Sequence, residues 1–292
     1  LVRATDPDTG SGGGFAWLNN LILTDTDVSD EGLENIWRLK HLFALHLDST
    51  NVSDKGLEQI ALLPNLQDLR LDGTVVSDIG LAALSNSYRL LTLSLKRTGI
   101  TDEALSRIGD AIQELALSHT PVSDAGVRTL ASKEQLQVLE LAGTAVTDRA
   151  LETITRLPNL RVLDLGGTPI SDRGVATLKS MPALSELRLD RIAVTDRAAE
   201  SLTRFATLGK VSLEGTRVTA DGKSLIRRRR PELSLELVYP WGDSAWSSST
   251  LTEDTTVAEL GRLGAIRSLS LRDRAVDKET LVALQGLANL ES

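Results

Sequence analysis

The residues best suited to chemistry in this sequence are His46 and two carboxylates that the spacing places near it. Asp48 follows two residues later, and Asp72 follows Asp48 after a further 24 residues. A histidine beside a carboxylate is typical of proton transfer or metal binding. The chain contains only three His and no Cys, however, and no His lies in a motif with metal-ligand spacing. The sequence therefore predicts no catalytic residue, no metal and no cofactor.

A second set of polar residues suits recognition rather than catalysis. Its members carry charges of both signs, and several recur at a spacing of 24 residues. The set comprises His46, Arg70, Glu140, Asp164, Glu186 and Arg188. Small residues at 142–143 and 166–167 flank Glu140 and Asp164, which would leave a groove for a basic side chain or helix. We predict that the whole set binds a partner.

The constant spacing comes from an internal repeat, which is clearest in LQVLELAGTAVTDRALETITRLPN at residues 136–159. A marker Leu or Val recurs every 24 residues, except for one step of 22 where Gly109-Asp110-Ala111 shortens the link after Ile108. The markers are Leu21, Leu45, Leu69, Leu93, Leu115, Leu139, Leu163, Leu187, Val211 and Leu235. A period of this length is the signature of a solenoid, whose coils bury their apolar faces only against one another.

Each copy of the repeat predicts one strand and one helix. Alternating Leu residues around the marker favour a short strand with Leu turned inward and the intervening residues turned outward. Later apolar residues three apart, as in Leu57, Ile60 and Leu63, favour the inner stripe of a helix. Successive strands would then pair in parallel into one long sheet, so the predicted fold class is α/β.

The polar positions of the repeat have predicted structural roles. A Ser/Thr-Asp pair, as in Ser53-Asp54, provides an N-cap and a carboxylate at the positive end of the helix dipole. A Gly or Ala before the first helical Leu allows close approach of neighbouring coils. A Thr closes each strand, and we predict a ladder of buried hydroxyls along the stack. Ile192 replaces this Thr once, and we expect a distorted turn there.

The repeat L-x-x-L-x-L-x-x-T-x-V-S/T-D-x-G-L resembles the leucine-rich repeat family over roughly residues 15–290. Within that family it is similar to the repeats of F-box-type ubiquitin-ligase receptors and to a bacterial class with Thr at the corner. The Thr corners, the lack of Cys and the Leu-Pro-Asn links favour the bacterial class. The resemblance implies a right-handed horseshoe with a concave parallel sheet, convex helices and a protein ligand on the concave side.

The domain prediction is a flexible Gly-rich linker at residues 1–14 and a single solenoid at residues 15–292, possibly continuing beyond residue 292. The step from Leu235 to the next marker, Leu269, is 34 residues, which indicates a ten-residue insertion within 238–250. The insertion contains Tyr239, Trp241 and Trp246, which either contact a partner or cover a gap in the core. We include them among the predicted partner-binding residues.

Charge and hydropathy limit the partners. The formal net charge of −8 and a pI near 5.1 argue against nucleic acid. No apolar run of 18 residues is present, so the sequence predicts no membrane span. The four-residue Arg run at 227–230 is predicted as a solvated helix end. Uncapped solenoid ends would allow end-to-end contacts.

The sequence therefore predicts a non-catalytic protein-binding or scaffold protein. Its ligand would be a protein, recognised through the concave sheet and the inserted aromatic loop. The alternative is a recognition module of a larger enzyme, of ligase or kinase type, whose catalytic part lies outside this chain. The sequence indicates neither the identity of the ligand nor a compartment.

Overall fold

The computed structural model describes residues 17–235 and the backbone of one further strand, Ser268–Ser270. The strands are β1 Asn20–Ile22, β2 Ala44–His46, β3 Asp68–Arg70, β4 Thr92–Ser94, β5 Glu114–Ala116, β6 Val138–Glu140, β7 Val162–Asp164, β8 Glu186–Arg188, β9 Lys210–Ser212 and β10 Ser268–Ser270. The helices are α1 Asp54–Ile60, α2 Asp78–Leu81, α3 Asp102–Leu105, α4 Asp124–Thr129, α5 Asp148–Ile154, α6 Asp172–Thr177, α7 Asp196–Leu202 and α8 Ala220–Arg229. Short 3-10 helices occupy Ile36–Arg38, Ala82–Asn86, Leu130–Ser132 and Leu178–Ser180.

The chain forms two compact units, one of residues 1–93 with 245–292 and the other of residues 94–244. In the first unit β10, β1, β2 and β3 pair in parallel in that order. In the second unit β5 to β9 pair in parallel in chain order. The marker residues stand opposite one another in these pairs, as Leu139 does with Leu163. The predicted α/β coils and their register are therefore confirmed.

Burial explains why each coil takes this form. Leu139 in β6 and Leu141 just after it are fully buried. Glu140 lies between them and faces the opposite side of the sheet. In the helical part Leu57 and Ile60 are fully buried on one stripe. The helices are short because the chain must turn back to the next strand within a 24-residue coil. Apolar packing between coils thus supports elements too short to be stable alone.

The strand Ser268–Ser270 differs from its predicted position. The sequence places it after the strand of Leu235, whereas the structure pairs it with β1, with Leu269 opposite Leu21. Every repeat strand has the same alternation of inward and outward residues, so any strand edge of the array is a compatible partner in this register. The insertion within 238–250 lies outside the described residues.

The Thr residues that close the strands are buried, but they form no ladder between coils. Each hydroxyl donates to the carbonyl three residues earlier in its own coil, at 2.5–2.8 Å. The predicted ladder is wrong because the turn brings that carbonyl closer than the neighbouring coil. The distorted turn expected at Ile192 is also absent: Ile192 is buried, and Arg191 has the positive φ of 56° that the other corners share.

The hydrogen-bond ladder between coils is made instead by an Asp that starts a helix, as Asp54 and Asp172 do, or that lies in a turn at the same repeat position, as Asp30 does. Its carboxylate accepts the backbone N–H and the hydroxyl of the N-cap Ser or Thr in the following coil, at 2.7–2.9 Å and 2.5–2.7 Å. The pairs of this aspartate ladder are Asp30–Ser53, Asp54–Ser77, Asp102–Ser123, Asp124–Thr147, Asp148–Ser171, Asp172–Thr195 and Asp196–Thr219. Each Asp therefore joins two coils, beyond its predicted role at the helix dipole.

The aspartate ladder explains why a Gly or Ala stands two residues after the Asp that starts a helix, as in Asp172-Arg173-Gly174. A Cβ added to Gly174 would lie 2.1 Å from Asp148 Oδ1, and one added to Gly126 would lie 2.4 Å from Asp102 Oδ1. Such distances lie far inside van der Waals contact. At these positions glycine leaves room for the carboxylate, and Ala150 and Ala198 occupy the same place in coils whose ladder bonds also form at 2.6–2.7 Å, which supports the predicted close approach of a Gly or Ala.

Two basic side chains form hydrogen bonds that hold irregular coils to the coils before them. Lys133 is 6% exposed, and its ammonium donates to the Ile108 carbonyl and to Asp110 at 2.6 Å each, across the shortened link. At the end of α8, Arg230 donates to the carbonyls of Phe205 and Leu208. The Arg run therefore contributes one residue to the packing of the preceding coil, and the other three stand in the last turn of α8 as predicted for a helix end.

Candidate binding surface

The strand register of the second unit brings the predicted charged residues into one row. Ala116 stands opposite Glu140, Glu140 opposite Asp164, Asp164 opposite Arg188, and Arg188 opposite Ser212. Adjacent strands are about 4.8 Å apart, so side chains of consecutive coils touch. This outward side of β5 to β9 is called the strand face below.

Arg188 forms the centre of an ion cluster on the strand face. Its guanidinium bonds Glu186 at 2.8 Å and lies 3.6 Å from Asp164 and 3.7 Å from Glu140. All four residues are buried, with 2% exposure for Arg188 and 3% for Glu140. The four side chains therefore form ion pairs with one another within the chain. The predicted groove for a partner's basic side chain is wrong in this respect, because Arg188 of the same chain lies between the carboxylates.

Lys96, just after β4, extends the cluster across β5. Its ammonium lies 3.0 Å from Glu140 Oε2, while Glu140 Oε1 has no hydrogen-bond partner within the described part of the chain. Buried charges of this kind cost desolvation free energy, which their mutual attraction only partly offsets. The cluster is therefore a costly feature for a face that could have been filled with neutral residues.

The surroundings in the cluster shift the pKa values of two of its members, Asp164 and Arg188. Burial raises the pKa of Asp164, and the neighbouring charge of Glu140 raises it further. The hydrogen bond from the Gly166 N–H and the charge of Arg188 lower this pKa, but the net shift is upward. Burial opposes the charged form of Arg188, but the hydrogen bond to Glu186 and the attraction of Asp164 and Glu140 leave its pKa raised. Arg188 is thus held firmly as a cation, whereas the charge on Asp164 is disfavoured.

We expect Asp164→Asn to leave the free energy of unfolding at neutral pH unchanged or slightly higher. The raised pKa of Asp164 means that the folded state favours the protonated form, so its ionisation costs stability as pH rises through the folded pKa. Asn keeps the Oδ1 acceptor of the Gly166 N–H, which is bonded at 2.9 Å.

The measurement is urea unfolding of both proteins from neutral pH down toward the ordinary carboxyl pKa near 3.8. The free energy of unfolding of the wild type should rise relative to that of the variant as the pH falls. A variant that is less stable than the wild type by a constant amount at every pH would contradict the prediction.

The edge of the strand face beside β9 remains accessible. Lys210 is 55% exposed and lies 4.0 Å from Glu186. Asp190 accepts the Ser212 hydroxyl and, at 2.8 Å, the Glu214 N–H, and the Glu214 side chain is exposed. Here charges of both signs meet solvent, next to the buried cluster. These residues were not among the predicted site residues. Lys210 nevertheless occupies the outward repeat position of Glu186, and Glu214 occupies that of Asp190.

In the first unit the predicted residues His46 and Arg70 meet around Asp68. The His46 Nε2 atom lies 3.1 Å from Asp68 Oδ2, and Arg70 Nε lies 3.5 Å from Asp68 Oδ1. The sequence pointed to Asp48 and Asp72 as carboxylates near His46; the hydrogen-bond partner is Asp68, because it stands on the adjoining strand. Burial, together with the charge of Asp72, raises the pKa of Asp48.

The described residues bring together only part of the predicted site. Glu140, Asp164, Glu186 and Arg188 form one cluster in the second unit, while His46 and Arg70 form another in the first. Tyr239, Trp241 and Trp246 lie outside the described residues. The contribution of Asp68 was missed, although its position just before the marker Leu69 equals that of Glu186 before Leu187.

Parallel strands in register, each followed by a turn and in most coils by a short helix, define a leucine-rich repeat solenoid. A family model described as a leucine-rich repeat matches residues 156–179. The chain has the leucine-rich repeat fold that its resemblance implied. Proteins of this class generally act as interaction modules with extended binding surfaces.

Comparison with solved structures finds similar chains, and the first of them supports the same fold. An internalin C2 from Listeria monocytogenes is 24% identical with a TM-score of 0.52, over 68% of this chain and 82% of that chain. An internalin from the same species is 18% identical with a TM-score of 0.49, over 76% and 75% of the two chains. A Leptospira interrogans leucine-rich repeat protein is 17% identical with a TM-score of 0.46, over 69% and 62%. A comparison with curated protein sequences gives no match.

Among the described residues, no three or more His, Cys, Asp or Glu side chains gather where a metal ion could bind. No helix in this part of the chain has the length and apolar character needed to cross a bilayer.

Proposed function

We propose that the chain is a non-catalytic protein-binding module that recognises a protein partner through the strand face of β5 to β9. The observation that carries the proposal is the ion cluster of Lys96, Glu140, Asp164, Glu186 and Arg188. Buried ionic groups are weak contributors to stability, and a hydrophobic face of similar volume would often be as stable. Their presence on an outward side of a sheet favours a role in recognition.

In this proposal the buried cluster and the exposed charges beside it have two different roles. Arg188, Glu140 and Glu186 are buried and act by fixing the electrostatic pattern of the face. Lys210, at 55% exposure, and the exposed Glu214 are placed to touch the partner. Charges that are already held in place lose little freedom on binding, which favours affinity and specificity. The predicted contribution of Tyr239, Trp241 and Trp246 remains part of the proposal.

The test is affinity capture from cells of the source organism with the full chain and two charge-swapped variants. Lys210→Glu/Glu214→Arg alters the strand face, and Arg149→Glu/Glu152→Arg alters exposed positions at the start of α5. Both variants keep the net charge, and all four positions are exposed, so each should fold like the wild type.

We expect a protein partner that is held by the wild type and by the α5 variant but is weakened at least about tenfold by the strand-face variant, as for loss of contacts worth 1.4 kcal/mol or more. Isothermal titration with the purified partner gives the affinities. A partner whose affinity falls only with the α5 variant would assign recognition to the helices and refute the proposal.

A further inference from the structure

The links between helix and strand in the first unit carry a combination of aromatic and basic side chains that the proposed function does not use. The links are residues 37–43, 61–67 and 85–91, and Trp17 stands at the corresponding place one coil earlier. Together these residues are called the link face. Its exposed large side chains are Trp17 at 41%, Trp37 at 40%, Phe43 at 38%, Leu62 at 57% and Tyr88 at 74%.

Contacts between coils make the link face one surface. The Trp17 ring stacks on His41 with centroids 4.7 Å apart. The Asn65 amide donates to the Lys40 carbonyl at 2.7 Å, and Arg89 donates to the Asn65 side chain at 3.0 Å. The chain of contacts therefore runs from the first coil to the fourth through adjacent side chains.

The charge of the link face is opposite to that of the chain as a whole. The three links contain Arg38, Lys40, His41 and Arg89 but no Asp or Glu, in a chain with a net charge of −8. The Arg38 guanidinium lies 5.3 Å from the centre of the Trp37 ring, and Lys40, His41 and Arg89 are exposed. Aromatic residues and Arg are enriched at the centres of protein interfaces.

In the second unit, the described links lack this combination. Its corresponding links, residues 107–113, 131–137, 155–161, 179–185 and 203–209, contain basic residues but a single aromatic residue, Phe205. Phe205 is 2% exposed and belongs to the core. Exposed aromatic and basic side chains are thus combined in the links of the first unit, and packing of the repeat does not require them.

We infer that the link face docks a protein partner through an acidic segment with aromatic side chains. Carboxylates would pair with Lys40 and Arg89, and aromatic rings would pack on Trp17 and Trp37. The net charge of −8 repels an acidic partner from the rest of the chain, so the basic face also orients it. A nucleic acid or an anionic bilayer, with densely spaced phosphates, is repelled more strongly by the same net charge.

The test measures binding of a fluorescent copolymer of glutamate and tyrosine to the full chain by anisotropy at several salt concentrations. Polyglutamate, oligo(dT) and vesicles containing phosphatidylserine serve as comparison probes. The variants are Trp17→Ala/Trp37→Ala, Lys40→Glu/Arg89→Glu and, as a control with the same change of charge, Arg107→Glu/Arg156→Glu in links of the second unit. Circular dichroism and urea midpoints check that each variant folds.

We expect the copolymer to bind more tightly than polyglutamate and to weaken as salt rises. Each link-face variant should weaken binding at least about tenfold, and the control variant by no more than about twofold. Tighter binding of oligo(dT) or of vesicles, equal weakening by the control, or no binding of the copolymer would overturn the inference. So would wild-type self-association that the link-face variants abolish, because the face would then be occupied by a second copy.

Discussion

Replacing Arg188 by Met lowers the free energy of unfolding by about 3–5 kcal/mol, the usual result of removing one partner of a buried ion group. The guanidinium lies within 3.7 Å of three carboxylates, on Glu186, Asp164 and Glu140, and is 2% exposed. Met fills a similar volume but leaves these carboxylates in a poorly solvated place without their common cation. Equilibrium unfolding in urea measures the loss.

Two comparisons make the Arg188 experiment specific. Arg191→Met changes an exposed Arg three residues away and should alter stability by less than about 0.5 kcal/mol. Adding Glu140→Gln to Arg188→Met should recover part of the loss, because one uncompensated charge is removed and the two sites are coupled. A loss below about 1 kcal/mol for Arg188→Met would mean that water solvates the cluster and that its charges are not held by Arg188.

Replacing Asp172 by Ala should cost about 3 kcal/mol, although the side chain lies at a half-buried helix start. Its carboxylate accepts the Thr195 N–H and hydroxyl at 2.7 Å each, and the Ala198 N–H at 3.2 Å. Hydrogen bonds to a charged group contribute about 1.5–3 kcal/mol each, and these act together rather than additively. The loss comes from the junction between two coils and is measured by urea unfolding.

The matched control is Asp221→Ala in the first turn of α8. Asp221 is exposed and stands one place later in its helix than the ladder Asp residues, so it interacts with the helix dipole. We expect a loss of about 0.3–1 kcal/mol there. Asp172→Asn should fall between the two, because it keeps one acceptor oxygen and loses the charge. Equal losses for Asp172→Ala and Asp221→Ala would show that the ladder bonds add nothing to the dipole effect.

The part of the fold that the sequence predicted is the part set by local periodicity. Alternating Leu residues around markers such as Leu139 and Leu163 determine the strands and the register, and Ser53 or Thr147 before a helix determines a cap. These are short-range preferences repeated many times, so a single chain contains enough copies to recognise them. The outward row of Glu140, Asp164 and Arg188 follows from the same register.

What the sequence could not predict depends on distances between coils. The aspartate ladder requires knowing that a carboxylate such as Asp148 reaches the next coil, and the burial of Arg188 requires knowing how far its side chain extends over two strands. The closing Thr shows the opposite error: its hydroxyl bonds within its own coil, where a ladder was predicted. The pairing of Ser268–Ser270 with β1 was missed because identical repeats make several strand edges equivalent.

The aspartate ladder also gives the array a chemical direction. Each carboxylate of the ladder pairs named above serves the cap of the coil that follows it, as Asp148–Ser171 and Asp172–Thr195 show. Shortening the array from its carboxyl side would leave a carboxylate that water solvates readily. Shortening it from the amino side would take away the acceptor on which the first remaining helix start depends. Truncation should therefore be asymmetric, and in a leucine-rich repeat protein of this kind the amino-terminal side of any retained segment is the one that needs a cap.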